Sequence, residues 1–146
     1  MPATATATPK FNDDNAASAE ALWRAFFSLH KITDGKTDGA GACALRLNGL
    51  RTIGKCLTDE GLLVVQLHIA ALPKVAALRG PFCEALLVQA TDVIEGDVVG
   101  IDTVEDAAVY QRTLSLTRLS AQALTDELWD MADAVAELKP LLPKTA

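Results

Sequence analysis

Apolar and polar positions recur along this chain with two different periods, and the switches between them mark its elements. From Ala19 to about Lys31, Leu22, Phe26 and Leu29 form one stripe at helical spacing, with Trp23 and Phe27 as a second stripe beside it. Ser18 stands where that helix should open, and the Gly- and Asp-rich TDGKTDGAGA that follows reads as a loop. The period then becomes two. In CALRLNGLRTIGKCL, Asn48-Gly49 supplies the positive φ values of a two-residue turn and predicts a β-hairpin. Leu62 to about Ala70 predicts a third strand, with Leu63, Val65, Leu67 and Ile69 on one wholly apolar face. Leu62 and Val64 share its other face with Gln66 and His68, as expected of a face that is partly exposed or meets a partner.

Pro73 interrupts pairing, and Pro81 is placed as the first residue of a second helix, PFCEALLVQATD. Phe82, Ala85, Leu86, Val88 and Ala90 cover too much of its circumference for one core-facing stripe, so it is either sandwiched or forms an interface. Leaving Leu86 or Leu87 exposed would forgo roughly 1.5–3 kcal/mol each. Val98 to Asp102 and Ala107 to Leu116 read as strands four and five. The final helix is the most regular element. Leu124, Leu128, Met131, Val135 and Leu138 make one stripe, Asp126, Glu127, Asp130, Asp133 and Glu137 make an acidic opposite face, Ser120 is its N-cap and Pro140 closes it. The predicted fold is therefore α+β, a single domain in the order α-β-β-β-α-β-β-α, with a twisted, mainly antiparallel sheet packed by helices. Residues 1–15 lack periodicity and read as a mobile tail ahead of a domain over residues 16–142.

Composition narrows the function classes. The chain of 146 residues is half apolar and only 22% charged, enough to bury a core and to leave apolar surface for a partner. A formal charge of −6 argues against nucleic acid and anionic membrane surfaces, since phosphate binding draws its affinity from clustered cations. Cys43, Cys56 and Cys83 form neither an even set nor a CxxC spacing, so a reducing cytoplasm is the expected compartment. MPATATATPK lacks the apolar core of a signal peptide, and the longest apolar run, Leu62 to Leu72, is too short to span a bilayer.

Chemistry-bearing constellations are weak. The loop from Asp34 to Gly39 resembles the start of a calcium loop, but Lys36 takes a ligand position and Leu45 stands where the bidentate Glu belongs. Gly39-Ala40-Gly41 precedes a strand, so no helix N-terminus is available there to hold a phosphate. His30 ends a helix and His68 lies on the mixed face of the third strand, each without the spaced carboxylate or thiol that a catalytic or metal site needs. The expectation is no enzyme, no cofactor and no metal. Trp23 and Phe27 suit either a core or a hydrophobic docking surface, and the pattern alone leaves both open.

The ordered segments resemble the class I type III secretion chaperones, the Tir-chaperone-like family of small acidic bacterial proteins. ALRLNGLRTI is similar to that family's first hairpin, LLVVQLHIAALP to its third strand, and FCEALLVQATDVIEGDVVGID to its second helix and fourth strand. VYQRTLSLTRLSAQALTDELWDMADAVAEL resembles its fifth strand, Leu-x-Leu-x-x-Leu transition and final helix, so the likeness runs from about Ala19 to Leu138. The resemblance implies a cytoplasmic homodimer with the second helix near the two-fold axis, holding the N-terminal segment of a secreted effector extended and soluble without nucleotide. On that reading Trp23, Phe27, Leu62 and Val64 would bind effector, and Phe82, Leu86, Leu87 and Ala90 would form the dimer interface. Two other readings are a small α/β enzyme or ligand-binding domain and an adaptor for a folded partner.

Overall fold

The computed structural model describes residues 2–93 and 95–144, with side chains described from Asp14 onward. Its elements are α1 (Pro2–Leu29), β1 (Lys36–Thr37), β2 (Cys43–Leu47), β3 (Leu50–Leu57), β4 (Leu62–Ala71), α2 (Ala76–Ala90), β5 (Asp97–Asp102), β6 (Ala107–Ser115) and α3 (Ala121–Leu138), followed by a 3-10 turn over Lys139–Leu141. The strands form one sheet in the order β1-β2-β3-β4-β6-β5, with every described pair antiparallel. Its order matches the expected one apart from β1, two residues inside the segment read as a loop, which pair Lys36 with Ala44 and Thr37 with Cys43.

Helix starts differ more than helix existence. α1 runs from Pro2 rather than from Ala19, so Ser18 lies inside it. The tail expected over residues 1–15 falls mostly on side chains outside the described ones. α2 begins at Ala76, placing Pro81 within the helix rather than at its first position. Only one helical hydrogen bond is lost to its missing N–H, and Arg79 secures the extra turn by donating to the Pro73 carbonyl and to both carboxylate oxygens of Asp106, at 3.1 Å each. The two predicted local signals behave as chemistry requires: Asn48 and Gly49 take φ values of 50° and 81° in the β2–β3 turn, and Ser120 Oγ accepts from the Ala123 N–H at 3.0 Å at the start of α3.

All three helices contribute to one core against one face of the sheet. Ala19, Leu22, Trp23 and Phe26 of α1, Phe82 and Leu86 of α2, and Leu124, Leu128, Met131, Val135 and Leu138 of α3 are buried with Leu63, Val65 and Leu67 of β4 and Tyr110 of β6. The fit is close at Gly54, where an added Cβ would lie 2.4 Å from the Trp23 ring. A bulge at Ile69 shifts the β4–β6 register between His68 and Ala70.

Candidate functional site

Register places a second set of side chains on the opposite face of the same sheet. Lys36, Ala44 and Arg46 of β1 and β2, Arg51, Ile53, Lys55 and Leu57 of β3, and Leu62, Val64, Gln66 and His68 of β4 alternate with the core positions. Val109, Gln111, Thr113 and Ser115 of β6 and Val98 and Gly100 of β5 continue the face. Among the described residues no helix covers it. At Gly100 an added Cβ would meet nothing within 4 Å, the opposite of Gly54 on the core side. Leu57 is 43% exposed, Leu62, Val64 and Ile53 are half-buried, and Gln66 Nε2 donates to Gln111 Oε1 at 2.8 Å across the middle.

The expected docking residues divide here. Leu62 and Val64 sit side by side on the open face, as the period of two predicts. Trp23 does not: it is fully buried against β3, so its assignment as a surface anchor is corrected to a core role. The reason is Gly54, whose missing side chain leaves room for an indole where any other residue would push α1 away from the sheet. Phe27 is half-buried, its ring covering Gly35 in the loop after α1. Among the expected interface residues, Phe82 and Leu86 are corrected likewise, being 1% and 3% exposed within their own protomer. Ala90 is half-buried and Leu87 is 69% exposed. Beside Leu87, α2 also exposes Leu78 and Val88, and neighbouring β5 exposes Ile101 on the helix side of the sheet, an apolar surface that the sequence flags only through Leu87 and Val88.

Sequence reasoning missed two polar clusters. Arg112, buried in mid-β6, donates through Nε and Nη2 to Asp97 at 2.9 and 2.7 Å, and it also meets Glu127 at 3.3 Å and Asp130 at 3.0 Å on α3. The Tyr110 hydroxyl donates to the same Asp97 carboxylate. Burial works to raise the Asp97 pKa, but the bonds from Arg112 and Tyr110 and the guanidinium charge outweigh it and hold the carboxyl below its usual range. Burial and the bond to Asp97 push the Tyr110 phenol up to about 12. The network ties edge strand β5 to β6 and α3, and its only signal in the sequence is a cation at an inward position of an alternating strand. The second cluster joins α1 to α3: His30 Nε2 lies 2.7 Å from Thr125 Oγ1, and the imidazole stacks on Trp129 at 5.3 Å between centroids. Thr125 Oγ1 already donates to the Ala121 carbonyl, so the histidine nitrogen is the donor.

Groups weighed for catalysis or metal binding are otherwise engaged. Asp38 Oδ1 accepts from the Ala40 and Ala42 N–H groups, and Glu20 of α1 accepts from Thr37, Gly39 and Arg24, so these carboxylates brace the loop after α1. His68 Nε2 is buried without a partner, and burial lowers its pKa, which keeps the ring neutral. Burial pushes the Cys43 thiol well above its usual range, which leaves it a poor nucleophile. Among the described residues no group of three His, Cys, Asp or Glu side chains could hold a metal ion, and no helix is long and apolar enough to cross a membrane.

No family model and no curated protein matches the sequence. Solved structures do. A chain of the HopA1–SchA chaperone–effector complex superposes with a TM-score of 0.61 at 13% identity, covering 86% of this chain and 95% of the other. A chain of the ExsC–ExsE complex gives 0.61 at 13% identity, with 95% and 98% covered. The crystal structure of the Yersinia pestis type III secretion chaperone SycH with a stable fragment of YscM2 gives 0.55 at 16% identity, with 83% and 98% covered. Element order, the antiparallel sheet with helices on one face, and these superpositions agree on one conclusion: the chain has the α+β fold of the type III secretion chaperones.

Proposed function

We propose that this protein is a cytoplasmic homodimeric chaperone that binds the N-terminal, non-globular segment of a type III secreted effector and keeps it soluble. The observation that carries this reading is the open sheet face. It presents half-buried Leu62, Val64 and Ile53 and exposed Leu57 on a fold whose solved relatives include a chaperone–effector complex and a chaperone bound to a protein fragment. Such a face gains free energy by covering aliphatic side chains, at roughly 25 cal/mol per Å², and needs no acid, base or cofactor to do so. The exposed apolar residues of α2 and β5, with Leu87 and Val88 central, support pairing of two copies through that edge, with Ala90 beside them. Phe82 and Leu86 contribute to that surface only by holding α2 in place. Phe27 lies on the helix side of the sheet, packed against the core and covering Gly35, and the half-buried position of its ring leaves an edge available to a partner.

The reading is tested by co-expressing the chain with the N-terminal segment of a candidate effector from the same bacterium and measuring the mass by light scattering. A complex of two chaperone copies with one segment is the expected result. A monomer that binds no such segment would contradict it. Adding chelator or nucleotide should leave the complex unchanged.

A further inference from the structure

The open face is not electrically neutral, and its charge runs against that of the chain. With 13 Lys and Arg against 19 Asp and Glu, the protein is acidic, yet register gathers Lys36, Arg46, Arg51 and Lys55 on the β1–β3 end of this face. All four are exposed. Arg46 lies directly opposite Arg51, an arrangement that by itself destabilises a strand pair. Arg51 is paired with Glu105 at 2.6 Å, whereas among the described residues Lys36, Arg46 and Lys55 form no ion pair. Arg46 donates only to the Gly49 carbonyl, at 3.2 Å. Of the acids bordering the strip, Glu105 is taken by Arg51, and Asp38 is already bonded to two backbone N–H groups.

Aliphatic and cationic positions interleave. Along β3 the outward sequence is Arg51, Ile53, Lys55, Leu57, so outward positions recur about 7 Å apart and like ones every four residues, about 13 Å apart. A groove of about 280 Å³ lies beside it, bounded by Lys36 and Lys55 and floored by Ala44 and Ile53.

We propose that this strip receives an extended partner segment whose strip-facing side chains, every second residue, are alternately acidic and aliphatic, the aspartates or glutamates meeting Lys36, Arg46 and Lys55 while the aliphatic side chains cover Ile53, Leu57 and Val64. The proposal rests on the effector-binding reading and specifies the chemistry of what is bound. Nucleic acid fits worse, because the strip carries no aromatic side chain on which a base could stack and the chain as a whole repels phosphate. Charge complementarity of this kind selects partners and speeds encounter, and it weakens with salt.

The probes are two fluorescein-labelled, amidated 16-residue peptides, one repeating Asp-Ser-Leu-Ser and the other Lys-Ser-Leu-Ser, so that charge and leucine alternate on one face of the extended chain, each flanked by Gly-Ser. Fluorescence anisotropy with the full chain should show the acidic peptide binding at least tenfold more tightly at 50 mM salt, with the advantage shrinking at 500 mM. The doubly reversed Arg46→Glu, Lys55→Glu variant, altered only at exposed positions, should melt like the parent and prefer the lysine peptide. Equal affinities, or a preference that survives the reversal, would overturn the proposal. Tighter binding of a 16-nucleotide single strand than of the acidic peptide would overturn it in favour of nucleic acid. If neither peptide binds, the proposal also falls, while a complex with the effector segment by light scattering would leave the chaperone reading standing.

Discussion

The two faces of β4 open with the same amino acids, leucine and valine, and have opposite surroundings. Leu63, Val65 and Leu67 are completely buried under three helices, while Leu62 and Val64, one residue away, remain half-buried on a face that no described helix covers. Gly54 and Gly100 mark the same contrast in backbone terms, since a side chain would strike Trp23 at the first and meet open space at the second. Apolar character alone therefore does not separate core from open surface. What separates them is whether a helix of the same chain arrives to cover the face, and α1 arrives because Gly54 makes room for Trp23.

The sharpest way to break this comparison is at the indole. Trp23→Ala should cost about 3–5 kcal/mol in urea unfolding, because it empties the largest fully buried side chain, and leave effector affinity per folded molecule unchanged. Reduced affinity at normal stability would return Trp23 to the binding surface. The paired test on α2 follows the same logic: Leu86→Asp should prevent folding, whereas Leu87→Asp should fold with normal melting and run as a monomer.

Next in size is the edge latch. Asp97→Asn should cost roughly 2–3 kcal/mol, moderated because Glu127 and Asp130 still face Arg112. Its pH dependence follows from the depressed pKa. The ionised Asp97 stabilises the folded chain fully above about pH 5, and that contribution is lost as pH falls below the unfolded value of 3.8 towards the lower folded one. Acid unfolding of the Asn variant should lack this component. An identical acid limb in both proteins would show that the network is not a stabilising latch.

Smaller effects belong to the open face. Leu62→Ser with Val64→Ser should weaken effector binding by about 1–3 kcal/mol in calorimetry. Unchanged binding would move the site elsewhere. Smallest is the glycine pair: Gly100→Ala should stabilise by roughly 0.4–1 kcal/mol in thermal melts, whereas Gly54→Ala should destabilise. Equal signs would mean that the two faces are equally covered.

Periodicity carried most of the fold. The hairpin at Asn48-Gly49, the split of β4 into two faces and the Ser120-capped final helix were all readable, because each is decided by residues adjacent in sequence. The misassigned residues depend on distant ones. Trp23 is core because of a glycine on β3, and Phe82 and Leu86 are core because α2 packs on edge strand β5, neither of which a helical stripe reveals. Pro81 reads as a helix start because proline favours that position, but Arg79 anchors a turn ahead of it through Asp106. Of the candidate site, Leu62 and Val64 were legible and the cation strip was not, because Lys36, Arg46 and Lys55 share a face only once strand register is known.

Hydrogen–deuterium exchange on the protein, alone and with an effector N-terminal segment bound, tests the central claim most directly. The account predicts that protection rises in β2, β3 and β4 around Leu62 and Val64, with the outer surfaces of α1 and α3 unchanged. Protection confined to the helices, with the open sheet face exchanging as before, would contradict it.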